Sequence, residues 1–173
     1  MKKIKLKVGD VFAIELNMGE YGFGQIVAFP RHKYVFIICI FKRRNMGISE
    51  LNLEEICNSE ILFLGYTSDA KLYHNDWVII GNYTSNISAI KLPYYKLGSP
   101  PDSYIVDYKG ERLLKIDEEV FNALRFETEV GPSRFENALK SFYGLQDWKE
   151  DYNVILYENS LSSNKIAEKL LNR

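Results

Sequence analysis

The sequence predicts an α+β fold: a curled, barrel-like antiparallel β-sheet in the first two thirds of the chain, with C-terminal helices packed against it. Three observations carry this expectation. Up to residue 116, segments with two-residue apolar alternation or a continuous apolar run follow one another, separated by Gly, Asn, Asp and Pro. Beyond Asp117 the apolar spacing lengthens to three and four residues. The 12 Tyr and 10 Phe favour pleated surfaces. A chain of 173 residues suits one domain, 1–173, mainly β over 1–116 and mainly helical over 117–173.

Residues 11–16 alternate, with Phe12, Ile14 and Leu16 on one face and Val11, Ala13 and Glu15 on the other, the period of a half-buried strand. Asn17-Met18-Gly19 suits a short hairpin loop with Gly19 in the left-handed conformation. The return strand, 20–29, sets Gly22, Gly24, Ile26 and Ala28 on one face and Tyr21, Phe23, Gln25, Val27 and Phe29 on the other. The glycine face is nearly bare at one end. Either a bulky side chain packs across it, with Trp77 the favoured ring, or the strand bends sharply there. Pro30, which lacks an N–H, is expected to end the ladder.

Residues 34–41, YVFIICIF, are apolar throughout and read as a central strand covered on both faces, with Cys39 a core thiol. Lys42-Arg43-Arg44 reads as a solvated loop after it. Asn52 caps a short helix with Glu55 reaching back and Leu53, Ile56 and Cys57 facing inward. Further strands are expected at 61–67, 77–83, 103–108 and 112–116. The connection 84–102, with Pro93, Pro100 and Pro101, reads as a long loop. Its Tyr94-Tyr95 pair either anchors that loop to the core or faces a partner.

In the C-terminal part, Asp117 caps a helix with Glu118 and Glu119 in its first turn and Val120, Phe121 and Leu124 inside. Ser133-Arg134-Phe135-Glu136 forms a capping box after Pro132, with a stripe of Phe135, Ala138, Leu139 and Phe142 and Gly144 as the stop. Residues 152–157 fit a last strand. Ser162 or Ser163 opens a final helix with Ile166, Ala167, Leu170 and Leu171 apolar.

Composition narrows the function. A net charge of −1 supplies no general attraction to nucleic acid or membrane. MKKIKLKVGD has the lysines of a signal peptide without its apolar run, and 34–41 is too short to span a bilayer, so a cytoplasmic protein is expected. Cys39 and Cys57 alone make neither a disulfide framework nor a zinc site. His32 and His74 are the only histidines; no HxH or HExxH pattern occurs, and His74 reads as a turn residue. No nucleophile elbow or Walker loop is present, so no catalytic residue, metal or cofactor is expected. GEYGFG is followed by a strand, which argues against a dinucleotide fingerprint. It also approaches the Gly-Phe-Gly core of the ribonucleoprotein motif, but Tyr21 and Gln25 stand where a basic residue and an aromatic belong. A small-ligand or nucleic-acid-binding β-barrel module stays open as a secondary reading.

Charge is uneven. Residues 1–100 hold 12 Lys and Arg against 9 Asp and Glu, residues 101–173 hold 10 against 14, and 117–158 hold 4 against 10. That acidic stretch is either a pair of solvated helix faces or a surface that meets a basic partner.

Gly9-Asp10, Phe12, Tyr21-Gly22-Phe23-Gly24 and the run from His74 through Trp77 to Ile80-Gly81 together resemble the immunity protein 26 family of bacterial polymorphic-toxin systems. The resemblance covers roughly the first half of the chain. Glu15 departs from it, standing where a Pro often follows the Ile of the first strand. Membership implies a cytoplasmic antidote that binds a cognate toxin domain and blocks its active site. A basic, nuclease-type toxin would suit the acidic stretch, with Tyr94, Tyr95, Glu118, Glu119, Glu127 and Glu129 as the expected partner-binding residues. Gly9, Asp10, Gly22, Gly24, Trp77 and Gly81 are expected to serve the fold itself. The family label is also attached to an organophosphate-hydrolysing protein, so a phosphotriesterase-like hydrolase is the alternative; the missing histidine cluster counts against it.

Overall fold

Strand β1 (Asp10–Asn17) and strand β2 (Glu20–His32) form the hairpin that the alternation predicts, in a computed structural model that describes residues 5–32 and 34–172. Met18 (φ 38°) and Gly19 (φ 82°) make the turn, both left-handed, which matches the twist of the flanking strands. From Val11 to Ile14 every side chain of β1 is buried, so this strand is covered on both faces rather than one. β2 does not stop at Pro30. Ala28 pairs with Ile37 and the next pair is His32 with Val35, so the proline falls in a break of register where no ladder donor is required.

β3 (Val35–Met46) is fully buried from Phe36 to Phe41 and continues through the basic triplet, which is strand rather than loop. Gly22 pairs with Arg44 and Phe23 with Phe41, so Lys42 and Arg43 are two extra residues bulged out of the ladder. Each cation has a carboxylate: Lys42–Glu60 at 2.9 Å, Arg43–Glu55 at 3.1 Å and Arg44–Glu20 at 3.1 Å. Helix α1 (Leu53–Cys57) is capped as expected, Asn52 Oδ1 accepting from the N–H groups of Glu54 and Glu55 at 3.0 and 3.3 Å. β4 (Ile61–Ser68), the single-turn α2 (Ala70–Tyr73) and β5 (Trp77–Asn82) follow. These five strands form an antiparallel sheet in the order β4-β3-β2-β1-β5, open rather than closed into a barrel.

The segment 84–102 is less of a loop than its prolines suggest. It holds a 3-10 turn (Ile87–Ala89) and β6 (Tyr95–Ser99), which pairs across Pro100-Pro101 with β7 (Asp102–Val106). β7 ends short of Tyr108, because Asp107 Oδ1 accepts from Lys109 and Glu111 N–H at 2.9 Å each and turns the chain. β8 (Arg112–Ile116) completes a second sheet, β6-β7-β8, where a single sheet was expected. α3 (Glu118–Ala123) starts as predicted, Asp117 Oδ1 accepting from Val120 N–H at 2.9 Å.

α4 (Pro132–Phe142) begins one residue ahead of the expected box, with Gly131 as its cap. Its inward stripe ends on Tyr143 instead of Phe142: Tyr143 packs under the Arg44 guanidinium at 4.6 Å, while Phe142 stays 41% exposed. Gly144 (φ 74°) stops the helix, its N–H bonding Ser141 O at 3.0 Å and that of Leu145 bonding Lys140 O at 2.9 Å. Residues 150–155 are a 3-10 helix, not a strand, with Tyr152 and Ile155 buried three residues apart; Leu156 alone bridges Phe63. α5 (Tyr157–Leu171) then starts earlier than Ser162, and Ser160, Ser163 and Asn164 are buried in it.

Two compact units result: Met1–Ile90 with Glu129–Leu156, and Lys91–Thr128 with Tyr157–Arg173. The first is built on the five-stranded sheet and α4, around Phe12, Ile14, Phe36, Trp77, Phe135 and Leu139. The second packs Ile105 and Ile116 of its sheet against Leu124 and Ala167, with Val120, Phe121, Ile166 and Leu170 around them.

Candidate functional site

The bare glycine face is filled, though not by Trp77 directly. Gly24 lies opposite Phe12, and a Cβ on it would come 2.5 Å from Phe12 Cζ and 2.6 Å from Ile40 Cδ1. A Cβ on Gly22 would come 2.5 Å from Leu139 Cδ2, so α4 rests on that position. Trp77 stacks on the outer face of Phe12, ring centroids 4.9 Å apart. Register decides this: β1 lies between β2 and β5, so Phe12 reaches the glycine first.

The indole N–H of Trp77 donates to Glu136 Oε2 at 3.3 Å. Glu136 also meets Lys140 at 2.7 Å and Lys71 at 3.4 Å, and Lys71 meets Asp76 at 3.2 Å. Burial alone would raise the Glu136 carboxyl; Lys140, Lys71 and the indole outweigh it and hold the group below its ordinary value. Lys71 loses charge stabilisation to burial, yet Asp76 and Glu136 hold its ammonium above the ordinary value.

The remaining motif residues tie the first strand to the last of the sheet. Gly9 (φ 89°) passes so close to Thr84 that a Cβ would lie 2.6 Å from its Cγ2. Asp10 accepts from Asn82 Nδ2 and Lys7 N–H, both at 2.8 Å, and Gly81 lies against Leu53 of α1. A buried network that sequence reading missed lies behind them. Gln25 and Asn86 form a reciprocal amide pair at 3.2 and 2.8 Å, Gln25 donates to Tyr83 O, and Asn86 donates to Cys57 O at 3.1 Å. A lone amide in an apolar face was its one signal. Of the motif side chains, Asp10, Phe12, Phe23 and Trp77 are buried within the protein, while His74 is exposed.

Of the expected partner residues, Glu118 and Glu119 are exposed on the first turn of α3, and Glu127 is half-exposed beyond it. These three belong to the second unit; Glu129, also exposed, belongs to the first, next to Tyr66. Tyr95 is 3% exposed, its ring beneath the Arg125 guanidinium at 5.8 Å, and burial pushes its phenol up. Tyr94 is half-buried against the second core, its N–H bonded to Asn164 Oδ1 at 3.0 Å. Beside α3, Lys96 Nζ donates to Phe121 O at 2.9 Å and sits 4.2 and 4.8 Å from the Phe121 and Phe126 rings, Phe126 being largely exposed. The first unit exposes Met18, Met46, Phe142, Leu145 and Trp148, a set that sequence reading did not single out.

Among the described residues no group of three or more His, Cys, Asp and Glu could hold a metal ion. His74 caps the end of α2 with its ring edge-on to Tyr73 at 5.2 Å; the His32 side chain lies outside the described residues. Cys39 and Cys57 are buried free thiols, and burial raises both, Cys57 to about 12, which suppresses the reactive thiolate. No described helix is long and apolar enough to cross a membrane.

A family model described as immunity protein 26 matches residues 7–103, which takes in the whole five-stranded sheet and the hairpin turn after β6. No curated protein and no solved structure matches the chain.

Proposed function

This chain belongs to the immunity protein 26 family, and from that premise we propose that it binds a cognate toxin domain of a bacterial polymorphic-toxin system and neutralises it by occluding the toxin's active site. The family match carries the reading. Its motif residues, Gly22, Gly24, Trp77 and Gly81, are taken up in internal packing, so partner choice falls to loops and helix faces.

The acidic stretch supports a basic partner. Glu118, Glu119 and Glu127 in one unit and Glu129 in the other carry the carboxylates that would steer a basic, nucleic-acid-attacking toxin into contact. Tyr94, half-buried in the same unit as Glu118, Glu119 and Glu127, would add aromatic surface. An antidote works where the toxin acts, in the cytoplasm, and by binding rather than turnover. The test is co-expression with the C-terminal toxin domain of the secreted protein encoded beside this gene. A stable complex and restored growth are expected. Growth arrest that this protein does not relieve, with no complex formed, would refute the reading for that toxin.

A further inference from the structure

One end of the five-stranded sheet brings together the turn before β2, the end of β3, the start of β4 and the C-terminal end of α4. Gly22 and Arg44 pair across β2 and β3; Leu139 of α4 rests on Gly22, and the Tyr143 ring, four residues on, lies under Arg44. Glu20 and Met46 are the next pair outward on the same face. Gly47 N–H donates to Gly19 O at 2.8 Å, which ties the end of β3 to the turn that carries Met18. Phe142 stands edge-on to Tyr143 at 5.2 Å, and the Trp148 ring stacks on Phe63 of β4 at 6.3 Å.

The side chains turned outward here are large and apolar. Met18 and Met46 are 90% and 75% exposed, and Phe142, Leu145 and Trp148 are exposed beside them. The loop after α4 is pinned: Gln146 Nε2 donates to Asn137 O at 2.8 Å, Ser141 Oγ to Asp147 O at 2.9 Å and Trp148 Nε1 to Asn153 Oδ1 at 3.2 Å. Arg44 is held between Tyr143 and Glu20. Aromatic rings, methionines and arginine are the side chains enriched where proteins meet, and those already held in place lose little entropy when covered.

Charge selects what covers them. Over 15–20, 42–50 and 140–150, Lys42, Arg43, Arg44 and Lys140 each meet a carboxylate, that of Glu60, Glu55, Glu20 and Glu136 in turn. The charges left in these segments are Glu15, Glu50, Asp147 and Glu150 against Lys149, all exposed and without an ion pair among the described residues. A second copy set face to face would bring carboxylates against carboxylates; a basic surface would be attracted to them.

We propose that this end of the first unit is where the basic toxin domain docks, with Met18, Met46, Phe142 and Leu145 as the apolar anchors. The assignment rests on the antidote reading above and adds the surface that holds the complex. The carboxylates speed the encounter, and the anchors set how long it lasts.

Surface plasmon resonance against an inactivated form of the toxin domain encoded beside this gene separates these roles. Met46→Ala combined with Phe142→Ala should speed dissociation about tenfold or more and leave association nearly unchanged. Leu113→Ala, an exposed apolar residue of the second unit, should change neither rate. Asp147→Lys with Glu150→Lys should slow association at low salt. Hydrogen exchange of the unmodified complex gives a second readout, with protection expected at 17–20 and 143–149. A complex whose dissociation ignores the double alanine variant, or whose protection falls only on other segments, would overturn the docking surface and leave the antidote reading standing. No complex with the unmodified protein would overturn both. A dimer of the protein alone in sedimentation velocity, dissolved by the double alanine variant, would overturn the proposal too and assign the patch to self-association.

Discussion

The indole of Trp77 lies flat on the phenyl ring of Phe12, centroids 4.9 Å apart and planes within 1° of parallel. Phe12 in turn occupies the space that Gly24 leaves open. Three strands are thereby held in register by one stack, with Gly24 on β2, Phe12 on β1 and Trp77 on β5. Polar contacts anchor its outer end, the indole N–H reaching Glu136 on α4.

The stack makes the two glycines unequal. At Gly24 a methyl would meet Phe12 Cζ at 2.5 Å and both Ile40 Cδ1 and Phe12 Cε2 at 2.6 Å; at Gly22 it meets the Leu139 Cδ2 tip at 2.5 Å and its next neighbour only at 3.5 Å, so less has to move. Gly24→Ala is expected to destabilise the protein by about 2–3 kcal/mol and Gly22→Ala by about 1 kcal/mol or less. Urea unfolding of both variants checks the order; equal losses would contradict the packing described.

Acid stability should depend on Glu136. Its folded pKa lies below the ordinary value, so the unfolded chain binds more protons in the acid range. The stabilisation is present above the unfolded pKa and is lost as pH falls through the folded one. Glu136→Gln should cost about 1–2 kcal/mol at neutral pH and flatten the acid limb of the stability curve. Lys71 acts at the opposite end: its raised pKa keeps its contribution until the solution becomes alkaline enough to titrate it. Melting temperature recorded against pH for wild type and Glu136→Gln reads the acid difference directly.

Asn86→Ala should be among the costlier single substitutions. It takes the Asn86 donor away from the buried Gln25 Oε1 and Cys57 carbonyl, a loss of about 2–3 kcal/mol. Asn86 lies outside any strand or helix, so sequence pattern alone would rank it as neutral. Denaturant midpoints decide between the two.

Toxin association should be electrostatically steered. Glu118, Glu119 and Glu127 replaced together by Lys should slow association about tenfold or more at low salt, with the melting temperature nearly unchanged. Glu129→Lys, in the other unit, separates the contribution of that unit. An association rate indifferent to both the triple variant and ionic strength would rule the acidic surface out.

Catalysis should be absent. With zinc, manganese or cobalt added, purified protein is expected to show no phosphotriesterase turnover above a buffer control. Turnover that disappears in His74→Ala, in protein free of contaminating enzyme, would reverse that expectation.

What the sequence determined by itself is local. The Asn52 and Asp117 caps, the left-handed Gly19 and Gly144, and the alternation of β1 were legible because each rests on residues within one turn or one hairpin. The family motif was legible for the same reason, as a short pattern of glycines and aromatics in the first half of the chain. The tertiary structure decided whatever depends on contacts between distant residues. β6 is a strand because β7 pairs with it and the 125–126 segment caps it; YKLGS has no alternation strong enough to declare it. The basic triplet is extended because the ladder to β2 continues past it, Gly22 pairing with Arg44 and Tyr21 with Asn45, and Phe12 rather than Trp77 fills the glycine gap because β1 lies between β2 and β5. Gln25 finds Asn86 across 61 residues of chain, and residues 129–156 join the first unit while 91–128 do not. Local conformational preferences are written in neighbouring residues. Register and burial are properties of the whole packed chain, set by which surfaces exclude water together.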